Sequence, residues 1–576
     1  MKVLNLDIDK ELKLCIQPLF EGAFRVRLIY RDSARESLLT KYGIFKTEWD
    51  ELDAEIIKDG SLTKMIVGPY SIKIDNQGSM LFETPGQTLK VALYGRRGKE
   101  YDNEGFRIDI PLNDEERLYG LGDETRKMIM KRGHKAEMWI KNVVAYGPVP
   151  FVMSNKGWAI LTNCTYNHTF DLGATQHDLL RIDAEKGAMD FYVFFADSMP
   201  GLLNAYTNVS GKPLILPKSG YGFTFVCNEE ETARDLVEDC CRFRKLEIPC
   251  DYMGLEPGWM QKHYDYSINK KWDPVRFYIP HWEAENYNGT WSFFFNLRKM
   301  GFLLSLWLCC DYDLFWEEEK IQMQSSSADF EGAQIVDEHF SKGIIMDKIT
   351  KHGEPWFEHL KKFVDQGAAA FKLDGSNHII EHPDRLWAGK YLDDEAHNIY
   401  PVIYVKQMKE EYEKYTGKRA LMNTPGIYAG TQQYAASWAG DTGGKLPTLV
   451  SILNLSLSGH ANHSCDLDVS TLESMHYGFL MPWVQQNGWR NWLYPWMIGE
   501  ELGEAYKYYS QMRSSLFPYI YSMAHIAAQT GMPIARPLCL SYPDNPSYDN
   551  IMHEYMFGDY LLVGAFDMHL ILPPGK

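Results

Sequence analysis

Ala368-Ala369-Ala370-Phe371-Lys372-Leu373-Asp374-Gly375 is a short, mostly apolar run that breaks at an acid followed by glycine. Such a run reads as a buried strand ending in a polar loop. The amphipathic stretch 356–366 precedes it, and a helical pattern over 399–415 leads on to Ala420-Leu421-Met422, another strand. The same rhythm recurs upstream. Thr232-Ala233-Arg234-Asp235-Leu236-Val237-Glu238-Asp239 reads as a helix, and Tyr252-Met253-Gly254-Leu255 and 301–308 as strands. Repeated strand–helix units with buried strands predict a parallel sheet, and about eight of them predict a closed (β/α)8 barrel, whose chemistry sits at the C-terminal strand ends.

Outward from this core the pattern changes. Residues 1–218 alternate short strand-like runs, such as Phe24-Arg25-Val26-Arg27-Leu28-Ile29-Tyr30 and Trp158-Ala159-Ile160-Leu161, with glycine-containing turns, which predicts an N-terminal β-sandwich. The barrel with its insertions is expected over 219–532, closed by a helix over 512–529. Strand-like runs such as Tyr560-Leu561-Leu562-Val563-Gly564 return over 533–576, read as the start of a C-terminal β-domain expected to continue beyond Lys576.

A net charge of −18 disfavours nucleic acid, whose phosphates require a basic surface, and disfavours an anionic polymer as substrate. No run of eighteen apolar residues suggests a membrane span, and Met1-Lys2-Val3-Leu4-Asn5-Leu6-Asp7-Ile8-Asp9-Lys10 lacks the apolar stretch of a secretion signal, so a cytoplasmic location is expected. The ten cysteines lack CxxC spacing and include the vicinal pairs Cys240-Cys241 and Cys309-Cys310, a pattern that suits reduced, buried thiols better than a disulfide framework. Sequons such as Asn163-Cys164-Thr165 carry little weight without a leader.

A second acid, in Trp438-Ala439-Gly440-Asp441-Thr442-Gly443-Gly444, also falls where a strand should run into a loop. Two carboxylates delivered by two strand ends are the minimum equipment for cleaving a glycosidic bond, one to donate a proton and one to attack or to activate water. Each acid has a plainer alternative: Asp374 as a helix cap and Asp441 as a turn former.

With these residues in place, the chain resembles glycoside hydrolase family 31 over nearly its whole length. Tyr119-Gly120-Leu121-Gly122-Asp123-Glu124-Thr125, followed by Met138-Trp139, is similar to the loop that reaches from the N-terminal sandwich over the active site. Trp272-Asp273-Pro274-Val275-Arg276-Phe277 looks like the motif before the third barrel strand, and Trp438-Ala439-Gly440-Asp441 like the segment bearing the general acid/base. The resemblance implies that Asp374 is the nucleophile and Asp441 the acid/base of an exo-acting retaining α-glycoside hydrolase. It implies no metal or organic cofactor, a glycoside or oligosaccharide as the partner, and no membrane; homo-oligomerisation is left open.

Several positions depart from the family pattern. Gly375-Ser376-Asn377 follows the expected nucleophile, Glu256 stands where glucose-acting members carry Asp, Pro425 replaces a sugar-contacting Arg, and Gln485-Gln486-Asn487 replaces an Arg-x-His. Hydrogen bonds to individual hydroxyls discriminate epimers, because a buried donor left unpaired costs about 1–3 kcal/mol. The expectation is therefore a galacto-configured sugar, α-galactose or its 2-acetamido form, with α-glucosidase or transglycosylase as alternatives within the family. A non-catalytic carbohydrate-binding protein is the alternative of another class.

The further candidate substrate contacts are Glu256, Trp259, Trp307, Asp311, Lys372, Trp438, Asp466 and Asn487. Asp313 shares the strand end of Asp311, and Trp483 and Trp489 are additional aromatic faces. Asp466 is equally suited to supporting the pocket. His460 and His463 lack a matched third ligand for a metal.

Overall fold

The computed structural model describes residues 3–8, 10–30, 35–60, 62–95, 105–142, 146–278, 293–310, 312–325, 353–374, 386–388 and 390–574. Two antiparallel sheets of seven and nine strands form the N-terminal part. The run expected as a strand near Phe24 spans Ala23–Tyr30 and that near Trp158 spans Trp158–Thr162. One shared apolar core, including Phe24, Phe82, Val91, Ile108, Ile160 and Phe191, lies between the sheets. The outer face of the seven-stranded sheet contributes Tyr119, Phe151, Tyr192 and Phe194 to a second, larger core that continues through the rest of the molecule.

Eight parallel strands follow: β1 (Thr224–Val226), β2 (Tyr252–Leu255), β3 (Leu303–Leu308), β4 (Ala368–Leu373), β5 (Leu421–Thr424), β6 (Ala436–Trp438), β7 (His463–Ser464) and β8 (Gln485–Asn487). Neighbours pair in chain order, and β8 pairs with β1. The ring is nearly closed between β7 and β8, where the contact is the parallel bridge Asp466↔Gln485, supported by Leu467 N–H donating to the Gln485 carbonyl at 2.8 Å. The chain is thus a β-sandwich joined to a TIM-like barrel. A three-stranded antiparallel sheet, Ala535–Pro537, Glu554–Phe557 and Leu561–Gly564, follows it.

Local chemistry explains the first barrel helix, α1 (Ala233–Lys245). Thr232 caps it in a reciprocal box with Asp235, and basic residues occupy its last turn. The helix expected over 512–529 is longer, spanning Glu500–Thr530 (α2), and it carries the buried Arg513. That guanidinium donates to five carbonyls: Gly222 at 2.8 Å, Phe479 at 2.9 Å, Met481 and Tyr221 at 2.7 Å, and Pro482 at 3.0 Å. These carbonyls lie just before β1 and β8, so one side chain ties the seam between the first and last strands to α2. Among the described residues no disulfide joins any of the ten cysteines, and Cys241 alone among them is exposed. Among the described residues, no helix is long and apolar enough to cross a membrane.

Arg513→Met should leave several buried carbonyls without donors. A loss of about 3 kcal/mol or more is expected from hydrogen bonds to a charged group, measured as a lower midpoint in urea unfolding.

Candidate active site

The strand register assembles the centre of the barrel mouth. Trp307 on β3 pairs with Lys372 on β4, and Lys372 pairs with Asn423 on β5. Residues level with one another on adjacent strands share a face, so these three form one row. Asp374 follows β4 directly, and its N–H donates to the Leu308 carbonyl at 2.9 Å, continuing the ladder. The Trp307 indole N–H donates to Asp374 Oδ2 at 3.2 Å.

Lys372 is buried, with its Nζ 3.2 Å from Glu256 Oε1 and 5.1 Å from the centroid of the Trp438 ring. Burial disfavours the ammonium, but the charges of Glu256, Asp466, Asp441 and Asp374 outweigh it and raise its pKa. Burial first, then the charges of Asp466 and Asp374, push the Glu256 carboxyl up against the pull of Lys372, to about 7 overall. Asp466 is raised to about 6, again first by burial, with Lys372 opposing and Asp441 reinforcing the shift.

Asp441 lies in the loop after β6, with its side chain open to solvent at the rim. The walls of the mouth nevertheless desolvate it on the inner side, and the charge of Asp374 adds to this; both raise its pKa, against the pull of Lys372. The two acids singled out in the sequence therefore face one another electrostatically across a single mouth.

The other candidates separate by their contacts. Trp259 is enclosed by Trp272 and Phe363, at ring-centroid separations of 4.9 and 5.0 Å, and its N–H donates to the Trp307 carbonyl at 2.9 Å. It buttresses Trp307 instead of presenting a stacking face. Asn487 donates through Nδ2 to Asp466 at 3.4 Å and accepts from Trp489 N–H at 2.9 Å, so both ends of its amide hold protein groups. Gln485 donates to the other Asp466 oxygen at 2.8 Å. Asp313 is buried and accepts from Phe315 N–H and Ala388 N–H, a structural role. Trp483 is likewise core, donating to the Ser437 carbonyl at 3.0 Å. Asp311, Ser376 and Asn377 lie outside the described residues.

Burial holds His460 and His463 neutral, the first pushed down to about 3. His463 shares hydrogen bonds with Ser437 at 2.7 Å and Ser451 at 3.4 Å. Among the described residues no cluster of His, Cys, Asp and Glu could hold a metal.

Two site groups, Tyr264 and Asn423, were not singled out in the sequence. Tyr264, in the loop after β2, adopts a left-handed backbone conformation, φ 52°, which is uncommon for a residue with a bulky side chain. Its ring meets Trp307 edge-on at 5.2 Å. Burial and the carboxylates of Glu256, Asp374, Glu229 and Asp441 raise its phenol pKa, which marks it as a wall of the same mouth. The Asn423 Oδ1 and Trp438 Nε1 atoms are buried without a hydrogen-bond partner among the described residues. Only the singular placement of an Asn in an apolar strand could have drawn attention to Asn423.

Glu256 binds its extra proton in the folded state between pH 4.5, its ordinary value, and about 7. Across that window the folded state holds more protons than the unfolded one, so this group's contribution to stability is complete below the window and declines as pH rises through it. Glu256→Gln should flatten the fall in unfolding midpoint measured at pH 5, 6 and 7. An unchanged slope would mean that Glu256 is not the titrating group.

Family descriptions match this chain along most of its length. The family description "Glycosyl hydrolases family 31 TIM-barrel domain" matches residues 213–523, flanked by the family's "N-terminal galactose mutarotase-like domain" at 13–171 and its "C-terminal domain" at 531–567. Alpha-glucosidase 2 of Bacillus thermoamyloliquefaciens is 24% identical across 93% of this chain and 72% of its own length. An alpha-xylosidase of Saccharolobus solfataricus is 25% identical across 86% of this chain and 68% of its own. An isomaltosyltransferase of Sporosarcina globispora is 23% identical across 89% and 54%, so the chain spans between about half and three quarters of these relatives. In fold, the chain is similar to a GH31 dextranase of Flavobacterium johnsoniae complexed with isomaltotriose, with a TM-score of 0.80 at 20% identity over 98% of this chain and 74% of that one. It is also similar to a GH31 alpha-xylosidase from a soil metagenome complexed with xylose, with a TM-score of 0.78 at 18% identity over 98% and 90%. With more than half of its length matched by the barrel description alone, the chain belongs to glycoside hydrolase family 31.

Proposed function

We propose that the chain is an exo-acting retaining α-glycosidase, with Asp374 as nucleophile and Asp441 as general acid/base. The observation that carries this reading is the electrostatic coupling of two strand-end carboxylates at one barrel mouth, the more exposed of which has its pKa raised. Asp441 donates its proton to the glycosidic oxygen while an Asp374 oxygen attacks the anomeric carbon; the bond to the leaving group breaks and a glycosyl ester forms. Water then attacks that carbon, Asp441 takes the water's proton, and the bond to Asp374 breaks. Trp307 steadies the attacking carboxylate through its N–H.

The terminal sugar would meet Glu256, Lys372, Asp466, Trp438 and Asn423, and Tyr264 would close one side. The unpartnered Trp438 N–H and Asn423 carbonyl suit hydroxyl recognition, because a buried polar atom gains most when a ligand satisfies it. The sugar is read as galacto-configured, α-galactose or α-N-acetylgalactosamine. Support comes from the longer acid at Glu256, from the buried Pro425, which offers no side-chain donor after β5, and from the amides of Gln485 and Asn487 where an Arg-x-His is usual. A second reading, a gluco- or xylo-configured substrate or transfer to a sugar acceptor, is favoured by what the relatives are named for. The domain limits 1–218, 219–532 and 533–576 are proposed with this function.

A panel of 4-nitrophenyl α-glycosides should give turnover of the galactoside or the N-acetylgalactosaminide, with the α-anomer of the free sugar as first product by NMR. Fast turnover of the glucoside or xyloside alone would overturn the sugar assignment, and β-anomer first would overturn retention. Asp374→Asn should lower kcat about a thousandfold or more without moving the thermal midpoint by more than a few degrees. A variant keeping most of its activity would remove Asp374 from the mechanism.

A further inference from the structure

The loop that carries Asp441 is gripped from outside the barrel. Arg126, in the segment after the N-terminal strand Leu118–Asp123, donates from Nη2 to the Ala439 carbonyl at 2.9 Å and from Nη1 to Thr442 Oγ1 at 2.7 Å. These two contacts bracket Asp441 on either side along the chain. The guanidinium is itself oriented by a two-point pair with Asp123, Nε to Oδ1 at 2.9 Å and Nη2 to Oδ2 at 2.6 Å, and Asp123 is fully buried. Such a fork holds direction as well as distance.

A second group from the N-terminal part closes the grip. Gly440 has φ 70°, and a Cβ there would lie 2.1 Å from the Tyr146 ring, so the loop passes against that ring at a point only glycine can occupy. The clamp is anchored to the helix that follows the loop, Leu446–Ser456 (α3). Asn454 Nδ2 donates to the Thr125 and Met128 carbonyls at 3.0 and 3.1 Å, and Gly122 N–H donates to Ser458 Oγ at 2.9 Å. The Thr442 hydroxyl also donates to the Ala439 carbonyl at 2.9 Å, tightening the turn from within.

We infer that Arg126 is a positioning residue for proton transfer: the N-terminal sandwich sets the angle and distance of the Asp441 carboxyl to the leaving oxygen through the Asp123–Arg126 fork. This rests on Asp441 being the acid/base. An exposed carboxyl on a short glycine-containing loop would otherwise sample many orientations, and a displacement of about 1 Å at a reacting group can cost about a hundredfold in rate. Arg126 acts on the loop through the Ala439 carbonyl and the Thr442 hydroxyl.

The test compares kcat/KM, which reports glycosylation, on phenyl, 4-nitrophenyl and 2,4-dinitrophenyl α-glycosides of the sugar turned over best. A poor leaving group needs the proton and a good one does not. Arg126→Met should lower kcat/KM about 10- to 100-fold on the phenyl glycoside and no more than about threefold on the dinitrophenyl glycoside, within the range general acid catalysis supplies. Arg126→Lys, which keeps the charge but not the fork, should show the same bias. Thr442→Val removes one contact without disturbing the Asp123 pair and should show a milder bias of about threefold, which keeps the test valid should Arg126→Met not fold. Equal losses on all three glycosides, or none, would overturn the inference. Asp441→Ala separates the two levels: a leaving-group bias there without one in the Arg126 and Thr442 variants overturns the positioning role alone, while a uniform loss in Asp441→Ala overturns the acid/base assignment on which it rests.

Discussion

One buried ammonium, Lys372, makes the acidic mouth of this barrel physically sustainable. Glu256, Asp374, Asp441 and Asp466 all act on its charge. Carboxylates gathered in a space shielded from water repel one another and resist ionisation, and a cation in direct contact with one and within reach of the others lowers that cost. The Trp438 ring beneath Nζ adds a favourable face without adding another charge. The result is graded: Glu256 is raised to about 7 and Asp466 to about 6 despite Lys372.

That arrangement depends on strand register. A slip of one residue in β4 would turn Lys372 away from the row it shares with Trp307 and Asn423 and would point its neighbours inward. Closure of the barrel is tied to the same cluster, because Asp466, which forms the bridge to β8, is also held by Gln485 and Asn487 and feels Lys372. Pairing of the last strand therefore also holds Asp466 within the acidic cluster. At the opposite end of the strands Arg513 performs the mechanical part of that closure by binding the carbonyls that precede β1 and β8.

The sandwich is more than an appendage to the barrel. Its seven-stranded sheet shares a continuous apolar core with the barrel, and its loop after Asp123 reaches the rim where Asp441 lies. Rigid elements therefore frame the exposed acid from two sides, which suits a group that must be open to water yet directed at one oxygen. Asp374 needs no such clamp, since the β3–β4 ladder continues through its own backbone N–H.

Local pattern was enough to read the strand–helix alternation, the strand before Asp374, the helix that begins near Thr232 and the family motifs, because each depends on near neighbours in the chain. It was not enough to extend α2 back to Glu500: residues 500–511 bury only Tyr506 and Ser510, so the apolar stripe that marks a helix is faint there. Nor did it separate Trp259 and Trp483, enclosed in the core, from Trp307 and Trp438, which meet the charged cluster. Tyr264 and Arg126 carry no signal of their own in the chain, and Asn423 only its place in a short strand. The sequence by itself determined the βα repeat, the two strand-end acids and the family. Only the tertiary structure decided which side chains surround those acids, because that depends on strand register, barrel closure and a loop arriving from another sheet, contacts between residues hundreds of positions apart that no local periodicity encodes.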